Sequence, residues 1–330
     1  MNKWQLFDLP TNHKIHARTT PSMGGVCILL GVVFTLLIAL PLSQWIQLKF
    51  FFVALAIIFT TGLRDDILTL KPHQKLLGQF LPIIIVVVFG NVTLSSLYDL
   101  WPVTFPNWLS WGVTIFTIVI LTNAYNLIDG IDGLAGAVSA IIFCALGIWF
   151  FRIGNHDLAV ISLVFAGAVI GFLLFNWQPS EIFMGDTGTL SIGFVISFLA
   201  IQFINLNFQL PDFSRHKFHA SIGAAVCVLV VPLFDTLRVI ILRLRRLESP
   251  FKADRNHLHH QFLNLGFSHR KTTLVLGGIN LGFVGLAIAL RNQPDVLILP
   301  IVLAICLIIN FWLKAVQKNQ SKNESKNTGP

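Results

Sequence analysis

Charge is scarce in this sequence. Only 12% of its 330 residues are Asp, Glu, Lys or Arg, against about 25% in an ordinary soluble domain. With 55% apolar residues and a mean hydropathy of +0.75, that scarcity excludes a cytosolic globular domain. Disorder is excluded as well, because Phe, Leu, Ile and Val crowd nearly every stretch. Cysteine is sparse too: Cys27, Cys144, Cys227 and Cys306 all lie inside apolar runs and read as packing residues, which leaves neither a disulfide framework nor a zinc ribbon. The apolar/polar alternation of a membrane barrel is missing. What is present is a series of long apolar runs, near 24–41, 50–63, 76–92, 109–124, 134–151, 158–175, 188–206, 219–241, 272–290 and 296–313. At roughly 16–22 residues each they fit bilayer-spanning helices better than strands. The expectation is an all-α, polytopic membrane bundle of about ten transmembrane helices.

The basic residues orient it. If residues 1–23 are cytoplasmic, loops near 64–75, 123–133, 176–187 and 242–271 share that side with the tail. All Lys and Arg except Lys49, Arg152, Arg215, Lys217 and Arg291 then fall there, as the positive-inside rule requires. The segment 1–23 is polar and reads as cytoplasmic, without a cleavable signal. Residues 24–313 form the transmembrane catalytic domain, and 314–330, rich in Lys, Asn and Ser, read as a disordered cytoplasmic tail. The net charge of +8 suits anionic headgroups better than nucleic acid. On the opposite face, 92–108 and 207–218 read as plain connectors.

There are only 15 acidic residues, yet several gather at helix ends on the expected cytoplasmic face. Arg64-Asp65-Asp66 closes the second run, and Asp235 sits near the end of the eighth. The segment NAYNLIDGIDGLAG brings Asn123, Asn126, Asp129 and Asp132, and NWQPSEIFMGDTG brings Asn176, Glu181 and Asp186. Singly, each has an ordinary explanation as a solvated Asp pair or as carboxylates capping a helix N-terminus. Asp129 and Asp132, at i and i+3, share one side of a starting helix, and Gly130, Gly133 and Gly136 permit close approach. If the bundle closes, Asp65, Asp66, Asp129, Asp132 and Asp186 face one region and need a counter-cation. Carboxylates and Asn amides are hard oxygen ligands that suit Mg²⁺, with Mn²⁺ as the alternative.

Cationic residues surround that region. The string Asp254-Arg255-Asn256-His257-Leu258-His259-His260 lies in the largest basic loop, near Arg243, Arg245, Arg246 and Lys252. A structural zinc site wants four ligands at finger-like spacing and no Cys is near, so the alternatives are an exposed neutral histidine cluster or a loop for phosphate oxygens. His13-Lys14-Ile15-His16-Ala17-Arg18 precedes a Pro/Gly turn, Thr20 to Gly25, into the first run. Lys71 and Lys75 follow the Asp pair, where they meet an anionic lipid head or simply the leaflet. A cation-bridged substrate with two phosphates, and an apolar partner entering from the bilayer, describe phosphoryl transfer between a soluble nucleotide and a lipid.

The motifs TPSMGG, RDDILTLKPHQKLLGQ, NAYNLIDGIDGLAG, the Asn176–Asp186 segment ending FMGDTGTL, and DRNHLHHQFLNLG follow one another between about Pro10 and Phe267. This ordered set resembles the polyprenyl-phosphate N-acetylhexosamine-1-phosphate transferases, glycosyltransferase family 4. The resemblance implies transfer of a sugar-1-phosphate from a UDP-sugar to undecaprenyl phosphate at the bacterial inner membrane, with Mg²⁺ as cofactor and UMP released. It implies that Asp186, with Asn126, holds the metal, and that Asp129, Asp132 and Asn176 shape the nucleotide and metal site. Asp65 and Asp66 would contact or activate the lipid phosphate, while Lys75, Arg18, Arg255, His257, His259 and His260 would hold phosphate groups. The string HLHH is similar to the branch using UDP-N-acetylglucosamine (UDP-GlcNAc), whereas the phospho-MurNAc-pentapeptide branch carries consecutive histidines. Members commonly have a further apolar helix before the PSMGG motif, giving about eleven spans; the stretch MNKWQLFDLPTNHK before it here carries none, so ten are counted, either because the start is placed late or because this member dispenses with that helix. Expected partners are UDP-GlcNAc, undecaprenyl phosphate and membrane lipids, with no nucleic acid; a homodimer is a possible assembly.

A secondary transporter is the rival of another class. Its carboxylates would sit near the midplane, often within inverted repeats, and neither feature is visible here. The CDP-alcohol phosphatidyltransferases also use paired Asp residues, but their Ala-Arg step after the DG element is absent.

Overall fold

The computed structural model describes residues 7–8, 20–248 and 256–327. A two-residue antiparallel ladder joins β1 (Phe7–Asp8) to β2 (Thr20–Pro21). Helices follow: α1 (Gly24–Ala39), α2 (Leu42–Gln47), α3 (Lys49–Leu68), α4 (Pro72–Ile84), α5 (Asn107–Ile128), α6 (Leu134–Arg152) and α7 (His156–Asn176). Then come α8 (Gly185–Gln209), α9 (Ser221–Val228), α10 (Val230–Arg245), α11 (Leu258–Asn264), α12 (His269–Ala289) and α13 (Asp295–Asn327). Each apolar run in the sequence falls on a helix or a helix pair. Among the described residues seven helices are long and apolar enough to cross a membrane, counting α4 together with the π-helical turn Ile85–Phe89 that continues it, or eight if the bent pair α9–α10 is one span. Of the remaining runs, α1 is a shorter apolar helix of 16 residues, and α3 ends on the charged Arg64-Asp65-Asp66.

At the centre stands α8, buried at every position from Thr187 to Ile201 and packed against α1, α3, α5 and α6. Small residues allow this. A Cβ on Gly193 would lie 2.9 Å from the Thr122 carbonyl oxygen, so α5 and α8 meet backbone to backbone there. Its serine hydroxyls bond inside the helix, Ser191 to Thr187 O (2.7 Å) and Ser197 to Gly193 O (2.6 Å), which satisfies them without water.

Three expectations need correcting. The run 219–241 is not one straight helix: α9 and α10 meet at 86°. Pro232 lacks the N–H that would bond the Val228 carbonyl, so the break at Leu229 falls one turn before it. The segments 92–108 and 207–218 are more than connectors. In the second, Lys217 donates to the Leu210 carbonyl (2.7 Å) and to Asp212 (2.8 Å); in the first, Asp99 accepts from the Ser221 N–H (3.1 Å) and hydroxyl (2.6 Å) and, with Asp295, which accepts from the Gly223 N–H (2.5 Å), caps α9. Beyond Lys314, α13 continues as helix to Asn327, because Gly and Pro are absent until Gly329-Pro330.

Candidate active site

The gathered carboxylates surround the first turn of α8, and the local sequence shows how that turn is held. The Gly24 and Gly25 N–H groups donate to the carbonyls of Phe183 and Met184 at 2.9 and 2.8 Å, and the Phe183 N–H donates to Pro21 O at 2.9 Å. The TPSMGG segment therefore clasps the start of FMGDTG. A Cβ on Gly25 would lie 2.1 Å from the Gly188 nitrogen, so only glycine lets α1 approach α8 this closely.

No side chain of its own segment caps α8. Asp66, on α3, does so instead: its Oδ1 accepts from the Asp186 N–H (2.7 Å), and its Oδ2 accepts from the Thr187 N–H (2.9 Å) and hydroxyl (2.5 Å). An anion at a helix N-terminus pairs with the positive end of the dipole. Asp65, one residue earlier, points about 100° away around the helix. It is buried, accepts from the Leu70 N–H (2.7 Å) and lies 3.0 Å from Lys75 Nζ.

Lys75, from α4, reaches across to the Asp186 carboxylate and stands 3.5 Å from the Asn126 side-chain oxygen. Asn126, in the last turn of α5, donates through Nδ2 to Asp186 Oδ1 (2.6 Å) and to the Thr189 hydroxyl (2.6 Å). Both contacts fall on Oδ1 of Asp186, and its Oδ2 carries no hydrogen bond among the described residues. The Asp186 side chain is 32% exposed, against 6% for Asp65. Asp129, at the end of α5, is partly exposed and its carboxylate receives no hydrogen bond among the described residues. Burial, and then the charges of Asp186, Asp66 and Asp132, push Asp129 up to about 7.

Asp132 and Asn176 each bond to neighbouring segments. Asp132 is buried, accepts from the Ser180 hydroxyl (2.9 Å) and lies 3.3 Å from His269 Nδ1. Asn176 accepts from the Gly133 N–H (2.9 Å) and donates to Ile182 O (2.8 Å), joining the two acidic loops.

A family model described as glycosyl transferase family 4 matches residues 48–204. A Bacillus subtilis (strain 168) protein named probable undecaprenyl-phosphate N-acetylglucosaminyl 1-phosphate transferase is 33% identical over 292 residues, covering 86% of this chain and 77% of the relative. The chain belongs to glycosyl transferase family 4. The decaprenyl-phosphate N-acetylglucosaminephosphotransferase of Mycolicibacterium smegmatis is 32% identical, covering 81% of this chain and 71% of that one. The undecaprenyl-phosphate alpha-N-acetylglucosaminyl 1-phosphate transferase of Escherichia coli (strain K12) is 28% identical, with 82% and 72% covered.

In this family member the histidine string is anchored from α10. Asp235, buried, meets His257 Nδ1 at 2.8 Å and accepts from the Leu258 N–H at 2.7 Å, while Arg238 donates to the Asn256 carbonyl. His259 is buried beside Gly130, where an added Cβ would fall 2.2 Å from its Nε2, so the string abuts the loop that carries Asp129. Burial, then the charge of His260, push His259 down to about 3, and it stays a neutral imidazole. The rings of His259 and His260 lie 4.3 Å apart. Arg18 and Arg255 lie outside the described residues. The sequence reading did not single out Gln79, Thr187, Thr189, Ser180 or His269. Gln79, one turn beyond Lys75, is fully buried and accepts from Asn123 at 2.9 Å; a polar residue at helical spacing from Lys75 was the available signal.

Among the described residues no group of three or more His, Cys, Asp or Glu is arranged to hold a metal ion. What the site offers is a pair of carboxylates, Asp129 and Asp186, with oxygens that no hydrogen-bond donor among the described residues claims.

Proposed function

We propose that this chain transfers N-acetylglucosamine 1-phosphate from UDP-GlcNAc to undecaprenyl phosphate at the cytoplasmic face of a bacterial inner membrane. The observation that best supports this is the partly exposed Asp186 carboxylate, aimed by Lys75 and Asn126 beside Asp129, in a chain whose relatives bear that activity in their names. An oxygen of the lipid phosphate attacks the sugar-bearing phosphorus of UDP-GlcNAc. The bond from that phosphorus to the bridging oxygen breaks, and UMP leaves with the electron pair. Lys75 offsets charge where the diphosphate lies, and the fixed geometry of Asp186 and Asn126 orients the reactants without reorganising.

The donor set fits Mg²⁺, which is usually held by one or two carboxylates together with substrate phosphates rather than by an all-protein cage. Asp186 and Asp129 would hold it, with Asn126 fixing Asp186 through its amide N–H. Bound there, Mg²⁺ supplies charge neutralisation for the diphosphate and its leaving group. The histidine string, neutral at His259, borders the Asp129 loop and offers ring nitrogens to phosphate or uridine oxygens.

The test is UMP release by purified protein in detergent, with undecaprenyl phosphate, Mg²⁺ and either UDP-GlcNAc or UDP-MurNAc-pentapeptide. Release from UDP-GlcNAc that requires the lipid and stops with EDTA is expected. Release only from the pentapeptide substrate would overturn the sugar assignment, and release from neither would overturn the reaction.

A further inference from the structure

A cleft of about 360 Å³ opens between α3 and α4, lined by Thr61, Arg64, Leu70, Gln74, Leu77 and Gly78. That volume is at the lower end of ligand pockets, which run about 300–1,000 Å³. Its floor is a close helix contact: a Cβ on Gly78 would fall 2.5 Å from Thr61 Cγ2. No acidic residue lines it. Arg64 is exposed and makes no hydrogen bond or ion pair among the described residues, although it precedes two aspartates in sequence. Both of those are already engaged, Asp65 by Leu70 and Lys75 and Asp66 by the first turn of α8. The Gln74 side-chain oxygen accepts from the Lys71 N–H at 3.1 Å, which leaves its NH₂ as a donor. The cleft thus presents one uncompensated positive charge and a free amide donor with no carboxylate, the complement of an anion.

Two further features narrow the class of anion. Exposed Leu77 (68%), Leu81 (58%) and Ile84 (38%) make a stripe at i, i+4 and i+7 along α4, leading from the cleft toward the interior of the bilayer. A free phosphate has no use for that stripe, whereas a lipid tail does. The cleft also shares a wall with the carboxylate site: Leu70 lines it and donates its N–H to Asp65, and Gln74 precedes Lys75 in the same helix.

We infer that the α3–α4 cleft is a binding site for the phosphate head of a polyprenyl monophosphate, with Arg64 and Gln74 holding the phosphate and the Leu77–Leu81–Ile84 stripe receiving the first isoprene units. This rests on the lipid acceptor proposed above. It adds where that lipid docks before its phosphate passes to Lys75, and it names a specificity residue outside the carboxylate cluster.

The experiment measures binding alone, on the full chain in detergent and without nucleotide sugar. Undecaprenyl phosphate, phosphatidylglycerol and inorganic phosphate are the probes. In Arg64→Ala the Kd for undecaprenyl phosphate should rise about tenfold, the loss of one charge-assisted contact. Gln74→Glu, which keeps the oxygen that caps α4 but replaces the donor with negative charge, should do the same. Arg64→Lys should recover most of the affinity, and UDP-GlcNAc binding, measured separately without the lipid, should be unchanged throughout. Unchanged lipid affinity in both Arg64→Ala and Gln74→Glu would overturn the assignment. Displacement of undecaprenyl phosphate by equal phosphatidylglycerol would overturn it too, since the cleft would then be a general lipid contact; displacement by inorganic phosphate alone would rule out the role of the stripe. Because binding is read without sugar, a chain that binds the lipid here but releases no UMP once UDP-GlcNAc and Mg²⁺ are added in the separate turnover assay would refute the transfer reaction and leave the cleft standing.

Discussion

Replacing Asp66 by Ala should weaken the protein as a folded object before it weakens it as a catalyst. The carboxylate accepts two backbone N–H groups and one hydroxyl at 2.5–2.9 Å, all from the first turn of α8. Removing an N-cap side chain costs about 0.5–2 kcal/mol, and the lost anion–dipole attraction adds about 0.3–2 kcal/mol. The two N–H groups are left partly buried without partners, so about 3 kcal/mol in total is a reasonable figure. With an unfolding entropy of about 2.1 cal/mol/K per residue, that corresponds to a melting point lower by about 4 °C for this chain. The assay is a thermal melt in detergent of the wild type, Asp66→Ala and Asp66→Asn. The Asn variant retains one acceptor and should fall between the other two. Turnover should decline in step with the loss of order around Asp186. Wild-type melting in Asp66→Ala, together with lost turnover, would refute the capping role and return Asp66 to direct contact with substrate.

Asp186→Asn should abolish UMP release and leave the melting point unchanged, because it removes charge but little volume; near-normal activity would remove Asp186 from the centre of the site. Asp235→Ala should strip His257 of its partner and raise the KM for UDP-GlcNAc more than that for the lipid, as steady-state kinetics would show. Two titrations oppose one another in EDTA. Asp129, raised to about 7, favours the folded state below pH 3.8 and loses that contribution as pH rises through about 7. His259, lowered to about 3, contributes fully above pH 6.5 and loses that contribution as pH falls toward 3. Melts of Asp129→Asn between pH 4 and 7 should therefore show stability rising with pH more steeply than in wild type, and those of His259→Gln the reverse; identical slopes in all three proteins would refute both shifts.

The helices were legible because long apolar stretches cannot be hidden in a sequence: each run lies on α1, α3 to α8, the pair α9–α10, α12 or α13. The 86° break was not, since Pro232 within an apolar run permits a kink without fixing its angle. Legible too was the gathering of carboxylates around α8. What the sequence could not separate was which carboxylate does what. Asp65 and Asp66 are neighbours of one residue type, and only the rotation of α3 sends one to Lys75 and the other to the backbone of α8. Asp132 and Asn176, flagged as chemistry, also tie neighbouring segments together through Ser180, Gly133 and Ile182, while Asp235 holds His257 and Leu258 from an apolar helix. Hydrogen-bond partners distant in sequence decide these roles, and composition and spacing carry no trace of them.

The cap on α8 also orders the assembly of the protein. A helix start whose N–H groups are answered only by a residue more than a hundred positions earlier cannot complete its first turn by itself. During synthesis α3 emerges long before α8, so the acceptor already stands in place when Gly185 and Asp186 arrive. The Asp186 carboxylate is consequently set in its position only when α8 packs onto α3, so a chain that inserts α8 without seating α3 leaves that first turn uncapped.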